Sequence, residues 1–247
     1  MEVHHHHESP EHKKWHHYFW EFFMLFLAVT LGFLVENLRE HVVEHKREKQ
    51  YIRSLIADLK DDDSTINEAL LAQENRTAMM DSMISILNDP SKIHGNEGVL
   101  YYWARWSPRL SSLPINTRTF EQLKNSGNFR LISDLETSNR IMSYYEEIPS
   151  IRLVEGIFLG EFDQYKILAS KIFEPAVFIS METQDGEIVR TDKNPPLQSY
   201  DPALIKQFSV FAVYMNGSAR GITTEAKKLH EKGKAIIEYL QKEYHLQ

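Results

Sequence analysis

Cysteine is missing from all 247 residues, which removes disulfides, thiolate metal sites and cysteine nucleophiles together. Reducing and oxidising compartments both tolerate such a chain, so the absence leaves its location open. Clustered Lys and Arg are missing as well. The net charge is −7, and Lys46, Arg47 and Lys49 are interleaved with Glu44, His45 and Glu48. A phosphate-binding surface needs concentrated positive charge, so no nucleic-acid partner is expected. Mixed signs along one stretch describe a solvated helix face. Glycine-rich phosphate loops and nucleophile elbows do not occur. No catalytic residue and no cofactor is therefore expected, and the chain reads as non-enzymatic. Proline and glycine are both absent from Phe33 until Pro90, so nothing interrupts a helix there.

What is present begins with an apolar run. Residues 18–35 read YFWEFFMLFLAVTLGFLV, interrupted by plainly polar side chains only at Glu21 and Thr30. As a helix these residues rise about 27 Å, close to the hydrocarbon thickness of about 30 Å. Their Phe, Leu and Val side chains favour insertion by about 4–5 kcal/mol in sum, against a cost of about 2.5–3.5 kcal/mol for one central Glu. Glu21 lies near the end, where the cost is smaller. Trp15, Tyr18 and Trp20 form an aromatic belt at that end. No small-x-small cleavage site follows; the next residues, ENLREHVVEHKREKQ, are strong helix formers. The expectation is an uncleaved signal anchor with the bilayer as its partner.

Within that span Glu21, Leu25, Ala28, Gly32 and Val35 share one stripe. Ala28 and Gly32 are a small-xxx-small pair that lets helices approach closely in lipid, and Glu21 prefers a protein neighbour to lipid. The stripe is a candidate homo-oligomer interface. Chance occurrence of small residues, with Glu21 snorkelling or pairing with Lys14 or His17, is the alternative. Orientation follows from two opposed signals. Lys13 and Lys14 precede the span, while Arg39, Lys46, Arg47, Lys49 and Arg53 follow it. Charge counting puts the large part in the cytoplasm, whereas a short leading tail favours an N-inside anchor with the rest periplasmic. We adopt the periplasmic assignment.

Residues 1–17 form a His-rich tail too polar to fold alone, expected to be disordered. His4, His5, His6 and His7 are candidate ligands for Zn, Cu or Ni, although any disordered His tract binds such ions loosely. His41, Glu44 and His45 match an H-x-x-E-H zinc-peptidase pattern, but a charged stalk beside a membrane supplies neither a third ligand nor a cleft. Asp58, Asp61, Asp62 and Asp63 lack the Gly and terminal Glu of a calcium loop and read as a solvated acidic face. Tyr101, Tyr102, Trp103 and Trp106 are a candidate ligand pocket between helices, with ordinary core packing as the alternative.

After a charged stalk (36–50), Ile52, Leu55, Ile56 and Leu59 restore helical spacing, continued to a stop at Asn88-Asp89-Pro90. Further helices are expected over 99–106, from Asn116 or Thr117 to Gly127, from Asp134 to Pro149 and on to Pro175, and from Asp201-Pro202 onward with a break near Gly217 or Gly221. Residues 177–182 and 187–191, flanking Gln184-Asp185-Gly186, predict a short hairpin. The fold class is thus mainly α: one N-terminal transmembrane helix continuing into a long helix, then a soluble helical bundle (51–247) with at most one short β-hairpin.

The run HKKWHHYFWEFFMLFLAVTLGFLVENLREHVVEHKREKQYIRSLIADLKDDD (12–63) resembles a Bacteroidota membrane-protein family of unknown function, the DUF6090-like proteins. FEQLKNSGNFRLISD (120–134), residues 141–145 and the opening Met-Glu-Val-His-His are similar to it too. The resemblance implies a bacterial inner-membrane protein with a helical soluble region. The function expected is a self-associating scaffold or accessory subunit beside another envelope protein, with a periplasmic ligand-binding module or a homo-oligomeric pore as the alternatives. It carries no catalytic residue. Related members have a more basic leading tail than the Lys13 and Lys14 found here.

Overall fold

The computed structural model describes residues 15–111 and 113–246. The chain divides into two compact units, 1–50 and 51–247, and helix α1 (Trp15–Leu87) contributes to both. In the first unit α1 is a plain helix, with Arg39 Nε donating to Glu36 at 2.9 Å one turn away.

The second unit is a helical bundle. The Asn88-Asp89-Pro90 stop ends α1 as expected: Asp89 accepts from Ser91 N at 3.2 Å and caps a 3₁₀ turn, Pro90–Lys92. Helix α2 (Glu97–Trp106) follows, then α3 (Arg118–Asn125). Gly127, at φ 69°, supplies the left-handed residue that ends α3 and opens a second 3₁₀ turn, Asn128–Leu131. Asp134 accepts from Thr137 N at 2.7 Å and starts α4 (Leu135–Tyr145). Helix α5 (Ile148–Ile172) begins afresh because Pro149, lacking an N–H, fits only in a first turn. A short α6 (Pro175–Ser180) and a 42-residue α7 (Pro202–Glu243) complete the order, α7 being capped by Asp201 accepting from Ala203 N at 2.9 Å.

Two expectations are corrected. Residues 177–182 are not a strand: Glu174 is extended, Pro175 pre-sets the backbone of a first turn, and the chain runs as α6 to Ser180. The Asp185-Gly186 turn does form, with Gly186 at φ 78°, but it closes only one isolated bridge between Glu182 and Ile188. Among the described residues there is no strand. Helix α7 also runs unbroken through Gly217 and Gly221. Each glycine costs about 1 kcal/mol in a helix interior. Burial of Ala212, Met215, Ala219 and Ile222 on the same helix outweighs that cost.

The core lies between the 51–87 part of α1, α5 and α7, and polar contacts give its register. Asp81 meets Asn216 and Arg220 (2.6 Å each), Glu74 meets Lys227 (2.6 Å) and Asp63 meets His230 (2.7 Å), so α1 and α7 are antiparallel. Asp62 meets Tyr144 and Met83 meets Tyr165, so α1 runs parallel to α4 and α5. Leu55, Met83, Phe158, Phe208 and Leu229 fill the space between.

Candidate functional sites: an exposed apolar helix and buried carboxylates

The 18–35 part of α1 has the exposure pattern that a water-soluble protein avoids. Phe22 is 66% exposed, Val29 73% and Phe33 71%. None of the apolar window is buried, and among the described residues α1 is the one helix long and apolar enough to cross a membrane. A soluble core helix would be covered. Its aromatic side chains pack along their own helix, as Trp20 does on Phe23 (5.9 Å between ring centroids). The belt residues Trp15, Tyr18 and Trp20 are all exposed. So is each member of the Glu21, Leu25, Ala28, Gly32 and Val35 stripe, and a methyl group placed on Gly32 would meet nothing within 4 Å.

The four α2 aromatics are dispersed. Tyr101 is wholly buried, its hydroxyl donating to Pro196 O (3.0 Å) and accepting from Glu174 N (2.9 Å). Burial pushes this phenol up. Tyr102 and Trp103 are half-buried against the core, and the Trp106 ring lies within 5.2 Å of the Arg76 guanidinium and 5.5 Å of the Arg109 guanidinium. A nearby cavity of about 260 Å³ is lined by Ala104, Arg105, Phe162, Tyr165, Phe173 and Phe178, among others, rather than by these four. His4, His5, His6 and His7 lie outside the described residues. His45 Nδ1 lies 3.1 Å from Glu48 Oε2. Among the described residues no three His, Cys, Asp or Glu side chains come together as a metal site.

The acidic run is not a uniformly solvated face. Asp58 and Asp62 are buried, and both are spent on the start of α3. Asp58 accepts from Thr119 N (3.1 Å), Asn116 Nδ2 (2.9 Å) and Arg118 Nη2 (3.1 Å). Asp62 accepts from Asn116 N (2.8 Å) and from the Tyr144 hydroxyl (3.0 Å). The side chain of the cap residue Thr117 makes no capping hydrogen bond; Asp58, reaching across from α1, takes the Thr119 amide of the first turn, while Asp62 holds the Asn116 amide just ahead of the helix. Burial raises the Asp62 carboxyl above the ordinary aspartate value, against the pull of its two hydrogen bonds. Burial, then the adjacent Asp62 charge, drives the Tyr144 and Tyr145 phenols far above theirs. The signal was in the spacing: Leu55, Leu59, Asp62 and Ile66 recur at steps of 4, 3 and 4, which puts Asp62 on the apolar face.

Glu48, in the stretch expected to be a solvated face, is buried too, and Glu97 is the centre of a further buried cluster. It accepts from Gly95 N (2.8 Å), Asn194 Nδ2 and Tyr200 OH (3.0 Å), fastening the 193–200 loop to the first turn of α2. Burial pushes its carboxyl up, yet the hydrogen bonds prevail and hold it below the ordinary glutamate value. Gly98 N donates to Asn194 Oδ1 at 2.7 Å in the same clamp. Both clusters bind backbone and neighbouring side chains, and neither pairs a nucleophile with a base over a cleft. No protein-family model, curated protein or solved structure matches this chain.

Proposed function

We propose that this chain is a single-span membrane protein that holds its helical bundle at a bilayer surface and works there without catalysis, as a scaffold or accessory subunit. The observation that carries the reading is the bare apolar surface of residues 18–35. Water is a poor solvent for such a surface, and lipid is a good one. The membrane assigned is a bacterial inner membrane, with residues 51–247 on the periplasmic side. Self-association runs through Glu21, Leu25, Ala28, Gly32 and Val35, where Ala28 and Gly32 let two backbones approach and Glu21 finds a protein neighbour.

The test is carbonate extraction of membranes carrying the full chain, followed by flotation. Retention with the lipid supports anchoring; release to the supernatant overturns it. Because the chain lacks cysteine, single Cys substitutions report cleanly. Ala28→Cys is expected to crosslink between copies while Val29→Cys is not. Gln184→Cys, in an exposed turn, is expected to react with impermeant maleimide in intact spheroplasts. Reaction only after lysis would reverse the topology.

A further inference from the structure

A cleft of about 500 Å³ opens where α3, the Asn128–Leu131 turn and α4 meet the start of α5. Its wall is aromatic. Phe120 and Tyr145 stack at 4.1 Å between centroids with an interplanar angle of 15°, and Phe129 stands at 85° to Phe120. Met142 adds a polarizable thioether. The volume lies in the range of small-molecule sites, and such a wall suits a flat ring. The wall is also held in place from behind: Tyr144, next in chain to Tyr145, is tied to Asp62, and Asp58 with Asp62 secures the start of the helix that carries Phe120. Tyr145 carries a buried hydroxyl with no hydrogen-bond partner in the protein, a burden that phenylalanine would avoid if packing alone mattered.

Two charges also line the cleft, Lys124 and Glu146. Both are exposed, and neither makes an ion pair among the described residues. Their neighbours do: Glu136 pairs with Arg140, Glu147 with Lys232 and Arg152 with Glu155. The Lys124 ammonium instead lies 5.9 Å from the Phe120 ring centroid. A purely apolar ligand would use neither charge, and a simple anion would meet Glu146. One molecule satisfies the wall and both charges if it carries a ring, a carboxylate and an ammonium.

We propose that this cleft binds a small aromatic zwitterion, of the class of a free aromatic amino acid, with its ring on the Phe120–Phe129–Met142 wall, its carboxylate at Lys124 and its ammonium at Glu146. The proposal is independent of the membrane reading, since every residue it uses belongs to the 51–247 unit. Calorimetric titration of the detergent-solubilised full chain tests it, with L-phenylalanine as the probe. L-Alanine lacks the ring, phenylacetate the ammonium and phenethylamine the carboxylate. Saturable binding of L-phenylalanine is expected, about tenfold tighter than any comparator, or about 1.4 kcal/mol. Lys124→Gln and Glu146→Gln are each expected to weaken it about tenfold. Phenylacetate is expected to gain on L-phenylalanine only in Glu146→Gln. No saturable binding, equal binding of all four compounds, or indifference to both substitutions would overturn the site. The comparator series on the unmutated protein decides the matter even if a variant fails to fold.

Discussion

The Tyr144 hydroxyl donates to Asp62 at 3.0 Å across the contact between α1 and α4, and both side chains are buried. Asp62 also accepts from Asn116 N, so one carboxylate ties three chain segments together. Removing it leaves two donors unanswered. Asp62→Ala is expected to destabilise the bundle by about 2–4 kcal/mol, whereas Asp62→Asn, which keeps an acceptor, costs less. Urea midpoints measured on the detergent-solubilised chain give the comparison, and equal losses would contradict this role.

The same group predicts a pH dependence. Its folded carboxyl titrates above 3.8, the ordinary aspartate value, so the folded state holds the proton more tightly than the unfolded chain. The stability it contributes is fully present below that value and is lost as pH rises through the raised folded value. Asp62→Asn has no such loss. Its stability relative to the parent is therefore expected to improve as pH rises from about 4 toward neutrality. A gap that stays constant with pH would show that Asp62 is not the titrating group.

Glu97 should behave in the opposite sense. Its folded carboxyl lies below 4.5, so its stabilising contribution is present above that value and lost as pH falls through the depressed folded value. Acidification is expected to loosen the 193–200 loop before the bundle core. Hydrogen exchange of Gly98 and Leu197 amides, compared between neutral and acid pH, reports the loosening; Glu97→Gln should show it already at neutral pH.

Two glycines sit at close approaches of unequal severity. A methyl group on Gly98 would lie 2.5 Å from the Lys193 carbonyl oxygen, whereas one on Gly233 would lie 3.2 Å from the Tyr144 ring. Backbone yields less readily than a ring edge. Gly98→Ala is expected to cost about 1–3 kcal/mol, and Gly233→Ala less, partly offset by the better helix propensity of Ala. Thermal melts of the two variants rank them.

For the apolar helix, Val29→Arg places a charge at the middle of the span and costs about 2.5–3.5 kcal/mol of insertion. The carbonate-resistant fraction of the protein is expected to fall. Gly32→Leu should leave that fraction unchanged while reducing Ala28→Cys crosslinking, because a large side chain keeps two backbones apart without making the helix more polar.

Much of this protein is written locally. Asp89-Pro90, Gly127, Asp134 and Asp201-Pro202 mark helix ends through their own hydrogen bonds and dihedral limits, and these were legible as residues. The bare 18–35 surface was legible for the same reason: its composition specifies the solvent it needs without reference to the rest of the fold. What depends on distant partners was not. Alternating Val177, Ile179 and Met181 look like a strand until Pro175 starts a helical turn, and the glycines of α7 look like breaks until the core on that helix holds it straight. Asp58 and Asp62 look like part of a solvated face until the chain returns 54 to 61 residues later to place Asn116 and Thr119 amides against them. The sequence by itself determined most of the helices, α6 and the continuity of α7 excepted, together with many of their ends and the apolar segment long enough to cross a membrane, because caps, periodicity and apolarity act over a few residues. Only the tertiary structure decided which carboxylates are buried, which aromatics share a wall and where a cleft opens, because burial is a property of the neighbours that folding brings.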